Sequence, residues 1–313
     1  MTILRISELR MRLPGTRRPV LDGVDLTVGA GETVALVGES GSGKSLTSRT
    51  VLGLLPPGAA VEGTVAVEGE DVLAMPATRL RELRRRTVAM IFQDPRAAIN
   101  PLRGIGDFLA EGRPGSQDRV RELVSAVGLE HRVLRQYPHE LSGGMLQRVM
   151  IAAALMGGPT LLLCDEPTTA LDVTTQAEIV ALLASLRQRY GTGLLFVTHD
   201  LELAAAIADR VYVMYAGRIA ETGPAGMLLS RPRHPYTAAL LAATPRVLET
   251  PRPRLATIPG QPPDLRTELA GCAFAVRCPR VTPVCHSDVP EPITRGEGVV
   301  ACHHSITGGE SDG

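Results

Sequence analysis

The chain has little of several things. Its basic and acidic residues cancel, 33 against 33, so it lacks the broad positive field of a nucleic-acid or anionic-membrane binder. No stretch approaches the ~20 apolar residues of a membrane-spanning helix. Met1 to Leu13 is no secretion signal either: polar and apolar residues alternate there, with Arg5, Arg10 and Arg12 among them, which reads as a strand. The expected place is the cytoplasm unless a partner holds the chain at a membrane. Aromatic residues are absent from Met1 to Ile91. Cysteine is nearly absent from the first two-thirds, where Cys164 stands alone and reads as a small buried hydrophobe. Lysine is the scarcest basic residue, with Lys44 the only one among the 33 bases.

That lysine lies in the stretch around which the chain is organised. Gly38-Glu39-Ser40-Gly41-Ser42-Gly43-Lys44-Ser45 follows the short apolar run Thr33 to Val37 and opens a helical segment, Leu46 to Leu54. Strand, glycine-rich loop and helix form the context of a phosphate loop, in which backbone N–H groups converge on an anion at a helix N-terminus. Lys44 suits the β- and γ-phosphates, where a planar guanidinium would be too wide, and Ser45 offers a hydroxyl to Mg²⁺. At 313 residues, 44% apolar and 21% charged, the chain is long enough for one main globular domain and a smaller appendage.

Other segments fall into place around this loop. Residues 1–30 read as two strands about the Pro14-Gly15 turn, and Gly63 to Val67 with Val72 and Leu73 continue that small antiparallel sheet. Ala77 to Arg86 reads as a helix whose Arg79, Arg81, Arg84, Arg85 and Arg86 form a solvated face. Val88 to Phe92 is a strand, after which Gln93 stands near enough to reach metal or water. Ser116 is a helix N-cap, and so is Ser142, which opens Leu141-Ser142-Gly143-Gly144-Met145-Leu146-Gln147. Leu161 to Cys164 is a buried parallel strand tipped by Asp165 and Glu166. The carboxylates suit a Mg²⁺ shell (Asp165) and a general base (Glu166). Ala170-Leu171-Asp172 begins a further helix ending at Gly191, and Leu194 to Thr198 is another strand, with His199 at its tip to meet the γ-phosphate.

In this order, the phosphate loop, Gln93, the Leu141–Gln147 segment, Asp165-Glu166, Asp172 and His199 resemble the ATP-binding cassette (ABC) family over residues 1 to about 230. The resemblance implies an α/β P-loop NTPase (RecA-like) core, an antiparallel β subdomain and an inserted helical subdomain at about 95–158. It also implies two cassettes facing head to tail. Ser142, Gly143, Gly144 and Gln147 of one would then clasp the γ-phosphate held by the other's phosphate loop, with Asp172 beside them. Glu166 would activate water, and Gln93 and His199 would steady phosphate, metal and water. Leu13 stands where family members often stack an aromatic on adenine, so selectivity for ATP over GTP is expected to be weak.

The segment 231–313 narrows the resemblance. Pro232-Arg233-His234-Pro235-Tyr236-Thr237, Leu240-Leu241, Pro245, Ile258-Pro259-Gly260 and Gly271-Cys272-Ala273-Phe274 to Pro279 look like the extension of the oligopeptide and dipeptide importer branch. This implies an ATPase subunit on the cytoplasmic face of a membrane. Its partners would be two permease subunits, a second cassette and, indirectly, an extracytoplasmic binding protein. Nickel or metallophore uptake is the alternative within the branch, and a soluble repair or translation cassette or a metal-binding regulatory module lies outside it. With only Tyr236 and Phe274 as aromatics, the extension is expected to need a staple. Its cysteines run C-x5-C-x6-C-x16-C (Cys272, Cys278, Cys285, Cys302); four scattered thiolates fit a [4Fe–4S] cluster, as the resemblance also implies, with zinc completed by His286, His303 and His304, or no metal at all, as the alternatives.

Overall fold

The computed structural model of the chain describes residues 1–112, 115–169, 171–244 and 257–306; Ala170 and Pro245, singled out above, lie outside them. In chain order the elements are β1 (Thr2–Arg12), β2 (Leu21–Gly29), β3 (Thr33–Val37), α1 (Lys44–Val51), β4 (Ala60–Val67), β5 (Glu70–Asp71), α2 (Ala77–Arg86) and β6 (Val88–Ile91). The helical stretch follows: α3 (Pro95–Ala98), α4 (Ile105–Ala110), α5 (Gln117–Ala126) and α6 (Gly143–Leu155). Then come β7 (Leu161–Asp165), α7 (Val173–Tyr190), β8 (Gly193–Thr198), α8 (Leu201–Ile207), β9 (Arg210–Tyr215) and β10 (Arg218–Pro224). Last are α9 (Ala225–Ser230), α10 (Pro235–Ala243), α11 (Pro283–Ser287), β11 (Pro292–Arg295) and β12 (Gly298–Ala301).

The chain divides into two compact units. One comprises Met1–Ile3, Val28–Glu32 and Ala74–Val197. Its strands β6, β7 and β8 run parallel, with Leu161 opposite Val88 on one side and Gly193 on the other. All five residues of β7 are buried, as an apolar strand flanked on both edges requires. Helices α5 and α6 carry their apolar stripes inward, Val120, Leu123 and Val124 on the first and Leu146, Val149 and Met150 on the second.

The other unit comprises Leu4–Thr27, Thr33–Leu73 and Thr198–Gly313. It holds an antiparallel sheet in the order β2-β1-β4-β5, in which β1 pairs with β4 from Leu4↔Val67 to Arg12↔Ala60 across a register shift between Ser7 and Arg10. In the second set of strands β3 runs parallel to β9, β9 turns antiparallel into β10 through Ala216-Gly217, and β12 and β11 extend the row beyond β10.

Two local expectations need correction. Val72 and Leu73 belong to a 3₁₀ turn, not a strand, because Asp71 Oδ1 accepts the Leu73 N–H and coils the chain. Ser116 occupies the N-cap position of α5 but makes no capping bond, its backbone lying outside the extended region (φ −89°, ψ 11°) that aims the hydroxyl at the helix. Asp172, the last residue of the expected Ala170-Leu171-Asp172 start, is the N-cap of α7 and accepts the N–H of Thr175 at 3.0 Å.

The extension is ordered differently from the expectation. Tyr236 is 0% and Phe274 1% exposed, and both sit in one core cluster with Tyr215, Val211, Val213 and Leu201. The rings of Tyr215 and Tyr236 are 4.6 Å apart, and Phe274 meets Tyr215 edge-on at 5.2 Å. The segment orders itself by completing a core that the preceding strands began.

Candidate functional site

The phosphate loop leaves the buried strand β3 and feeds α1. Its glycines are needed for two different reasons. A Cβ on Gly38 would lie 2.1 Å from the Met214 carbonyl oxygen. Gly43 holds φ 109°, a left-handed backbone open mainly to glycine, with Leu21 and Met214 pressed against it. Lys44 is 4% exposed, and its Nζ donates to the carbonyls of Gly38 (2.7 Å) and Glu39 (3.0 Å). The buried Ser42 hydroxyl has no hydrogen-bond partner among the described residues. A cradle that a Cβ would fill, an ammonium parked on loop carbonyls and an orphaned hydroxyl fit a bound phosphate chain and its Mg²⁺.

In the other unit, β7 ends in Asp165, 2% exposed. Glu166 follows at φ 47°, its N–H donating to the Val197 carbonyl at 2.9 Å. The Glu166 carboxylate accepts from the Gln93 amide at 3.4 Å and from the Thr169 hydroxyl at 2.9 Å. Sequence reading singled out Gln93 and Glu166, and the structure brings them together. It had no signal for Thr169, a second holder of the same oxygen. Cys164 is fully buried, and its thiol is pushed far above the usual range by burial and then by the charge of Asp165, so it stays a neutral packing group.

At the start of α6 the Ser142 hydroxyl accepts the Met145 N–H at 3.3 Å, and Gly144 presses against Thr175 so closely that a Cβ would meet it at 2.8 Å. Gln93, Gly143, Gln147, Pro167 and Leu171 line one cavity of about 330 Å³. Gln147 is 1% exposed, and its Nε2 has no hydrogen-bond partner among the described residues. Hydrogen bonds from the Thr175 N–H and hydroxyl hold the Asp172 carboxyl below its ordinary range. His199 follows β8 and is exposed, next to Asp200, whose carboxylate caps α8 through the Leu203 N–H.

The four extension thiols fare differently. Burial raises the thiols of Cys272, Cys278 and Cys302. Among the described residues no three His, Cys, Asp or Glu side chains are placed to hold a metal ion. Among the described residues the order of the segment is therefore accounted for by the shared aromatic core and not by a metal staple.

A phosphate loop between a buried strand and a helix, with an acidic pair at the end of a parallel strand, defines a nucleotide-hydrolysing α/β protein. The family model described as ABC transporter matches residues 21–169, and that of the oligopeptide/dipeptide transporter C-terminal region matches residues 220–285. Oligopeptide transport ATP-binding protein OppD of Bacillus subtilis is 45% identical over 268 residues, covering 82% of this chain and 75% of its own. A Brucella ovis chain, assigned by name to peptide import as its ATP-binding protein, is 44% identical over 312 residues, 92% of each. Among solved structures, the dimeric post-hydrolysis state of the cassette MJ0796, bound to ADP and Pi, superposes with a TM-score of 0.63 at 28% identity over 71% of this chain and 99% of that one. The chain belongs to the ABC transporter family, as an ATP-hydrolysing cassette that carries the oligopeptide/dipeptide-type C-terminal region.

Proposed function

We propose that this cassette drives peptide uptake from the cytoplasmic face of a membrane, docked on two permease subunits and paired with a second cassette. The observation that carries the reading is that cassette and extension together match one transporter branch across most of the chain. The match of residues 220–285 to the oligopeptide/dipeptide transporter C-terminal region favours di- and oligopeptides over nickel. No helix among the described residues is long and apolar enough to cross a membrane, so transport requires other chains.

In this reading Lys44 and the loop N–H groups hold the β- and γ-phosphates, and Ser45, Gln93 and Asp165 are the Mg²⁺ residues. The metal supplies neutralisation of phosphate charge. Glu166, aimed by Gln93 and Thr169, takes the proton of the attacking water, and His199 steadies the γ-phosphate. Ser142, Gly143, Gly144 and Gln147 complete the site of the partner cassette, with Asp172 beside them. Because the work is mainly positioning and charge stabilisation, donors that meet only on closure make hydrolysis conditional on closure. The cysteines belong to the proposal on donor chemistry alone: a [4Fe–4S] cluster, or zinc, on Cys272, Cys278, Cys285 and Cys302. Anaerobically purified protein is then brown and absorbs near ~400 nm, whereas colourless, metal-free protein removes that part. The test of the whole is purification from the native membrane. Permease subunits should come with the chain, and peptide uptake by the assembly should stop on Lys44→Ala; a chain that purifies alone, with uptake indifferent to the substitution, overturns the reading.

A further inference from the structure

The C-terminal extension takes hold of the phosphate loop at Glu39. Both guanidinium Nη atoms of Arg277 donate to the Glu39 carboxylate, at 2.6 and 2.9 Å, a bidentate pair closed across 238 positions of sequence. Arg277 is 4% exposed and Glu39 25%. The rest of the guanidinium is anchored within the unit: Nε donates to the Pro259 carbonyl at 2.8 Å, Nη2 to the Ile258 carbonyl at 3.3 Å and Nη1 to the Tyr215 hydroxyl at 3.2 Å. The carboxylate beside it raises the guanidinium's already high pKa, so the charge is permanent.

The backbone of Glu39 is held as firmly. Its N–H donates to the Tyr236 hydroxyl at 2.8 Å, and Tyr236 is fully buried on α10. Its carbonyl accepts from Lys44 Nζ at 3.0 Å and from the Ser42 N–H at 3.2 Å. One loop residue thus has its side chain and its N–H fixed by the extension, and its carbonyl turned toward the lysine that meets phosphate. A planar fork with every direction occupied cannot follow the loop; the loop must conform to the fork. A mere staple for the extension could have used any surface carboxylate, yet the pair is made on the residue that orients Lys44.

We propose that Arg277 is a positioning residue of the ATPase, which through Glu39 fixes the carbonyl that orients Lys44 and so sets the affinity of the phosphate loop for nucleotide. The extension is then a control element of ATP binding and not a passive appendage. The inference rests on the loop being the ATP site, and the experiment separates the two. Equilibrium binding of a fluorescent ATP analogue with Mg²⁺ is measured on the full chain carrying Arg277→Met, Arg277→Lys, Glu39→Gln or the Met/Gln pair, with the melting temperature recorded for each. The Met and Gln single variants should each weaken binding about tenfold. Arg277→Lys, which keeps the charge and loses the fork, should fall between them and wild type. The double variant should be no weaker than either single, because both remove one interaction. In the membrane assembly the loss should appear in KM with kcat nearly unchanged. Glu39→Gln exchanges a partly exposed group for one of its own size, so it reports even if Arg277→Met does not fold. Variants that melt earlier while binding nucleotide as wild type does overturn the positioning role. A wild-type chain that does not bind the analogue, or binds it equally after Lys44→Ala, sinks the ATP-site reading itself.

Discussion

Glu166 stands at φ 47°, a conformation that costs a non-glycine residue about 1–3 kcal/mol. The strain is held by the strong local bonds already described, the N–H on Val197 and the carboxylate between Gln93 and Thr169. Replacing Glu166 by Gln keeps shape and partners while removing the base, so ATP binding should persist and single-turnover hydrolysis should fall about 10²–10⁴-fold. Undiminished turnover would take the base role from Glu166. The acid pair was legible in the sequence because two carboxylates ending an apolar strand are costly without a task. The twist that aims the second one was not, since nothing in the residue types of Glu166-Pro167 announces a left-handed backbone.

At the scale of elements, unbroken apolar runs located β3, β7 and β8, which are buried along their whole length, and the long run behind Ser142 located α6. This reading failed where a single side chain redirects the chain, as at Asp71. It also failed for the extension, because a core shared between distant segments leaves no mark within either one. Tyr236 and Phe274 look like too little core only when counted alone. Truncating Tyr236 to Ala removes a fully buried ring from the cluster and should cost about 3–5 kcal/mol, read from denaturant unfolding of the full chain. A loss below ~1 kcal/mol would restore the need for a separate staple.

The same element carries an acid response. His234 caps α10 through the Tyr236 N–H at 3.0 Å, and burial lowers its imidazole to about 4. The unfolded chain, near the ordinary 6.5, binds this proton first. The contribution is therefore present in full above about pH 6.5 and is lost as pH falls toward 4, by up to about 3 kcal/mol. Glu221, whose carboxylate accepts the N–H groups of Arg233 and His234, titrates the other way: burial raises it, so its contribution grows on acidification. His234→Gln isolates the histidine. Between pH 7.5 and 5 the variant should lose less stability than wild type, and parallel pH profiles would show that His234 does not titrate on unfolding.

For the molecule as a whole, the question is what one chain can finish. The phosphate loop supplies glycine backbone, Lys44 and Ser45, and the acidic strand end supplies the carboxylates of Asp165 and Glu166. The start of α6 offers Ser142 and two glycines, with no phosphate contact required of it by the loop that precedes it in sequence. The motifs, each present once and in cassette order, carry the resemblance from which a paired assembly is expected, whereas the grip of Arg277 on Glu39 was not legible, because nothing in either local pattern pairs the two residues. If two chains or two related cassettes clasp the triphosphate, stopping the bond-breaking step should trap them closed. Glu166→Gln with ATP and Mg²⁺ should therefore double the mass seen by light scattering, alone or with its companion cassette. Exchange to ADP should return it to single particles, and adding Lys44→Ala should prevent the doubling. Particles that remain single with every nucleotide, companion included, would mean that closure of two cassettes is not how this chain hydrolyses ATP.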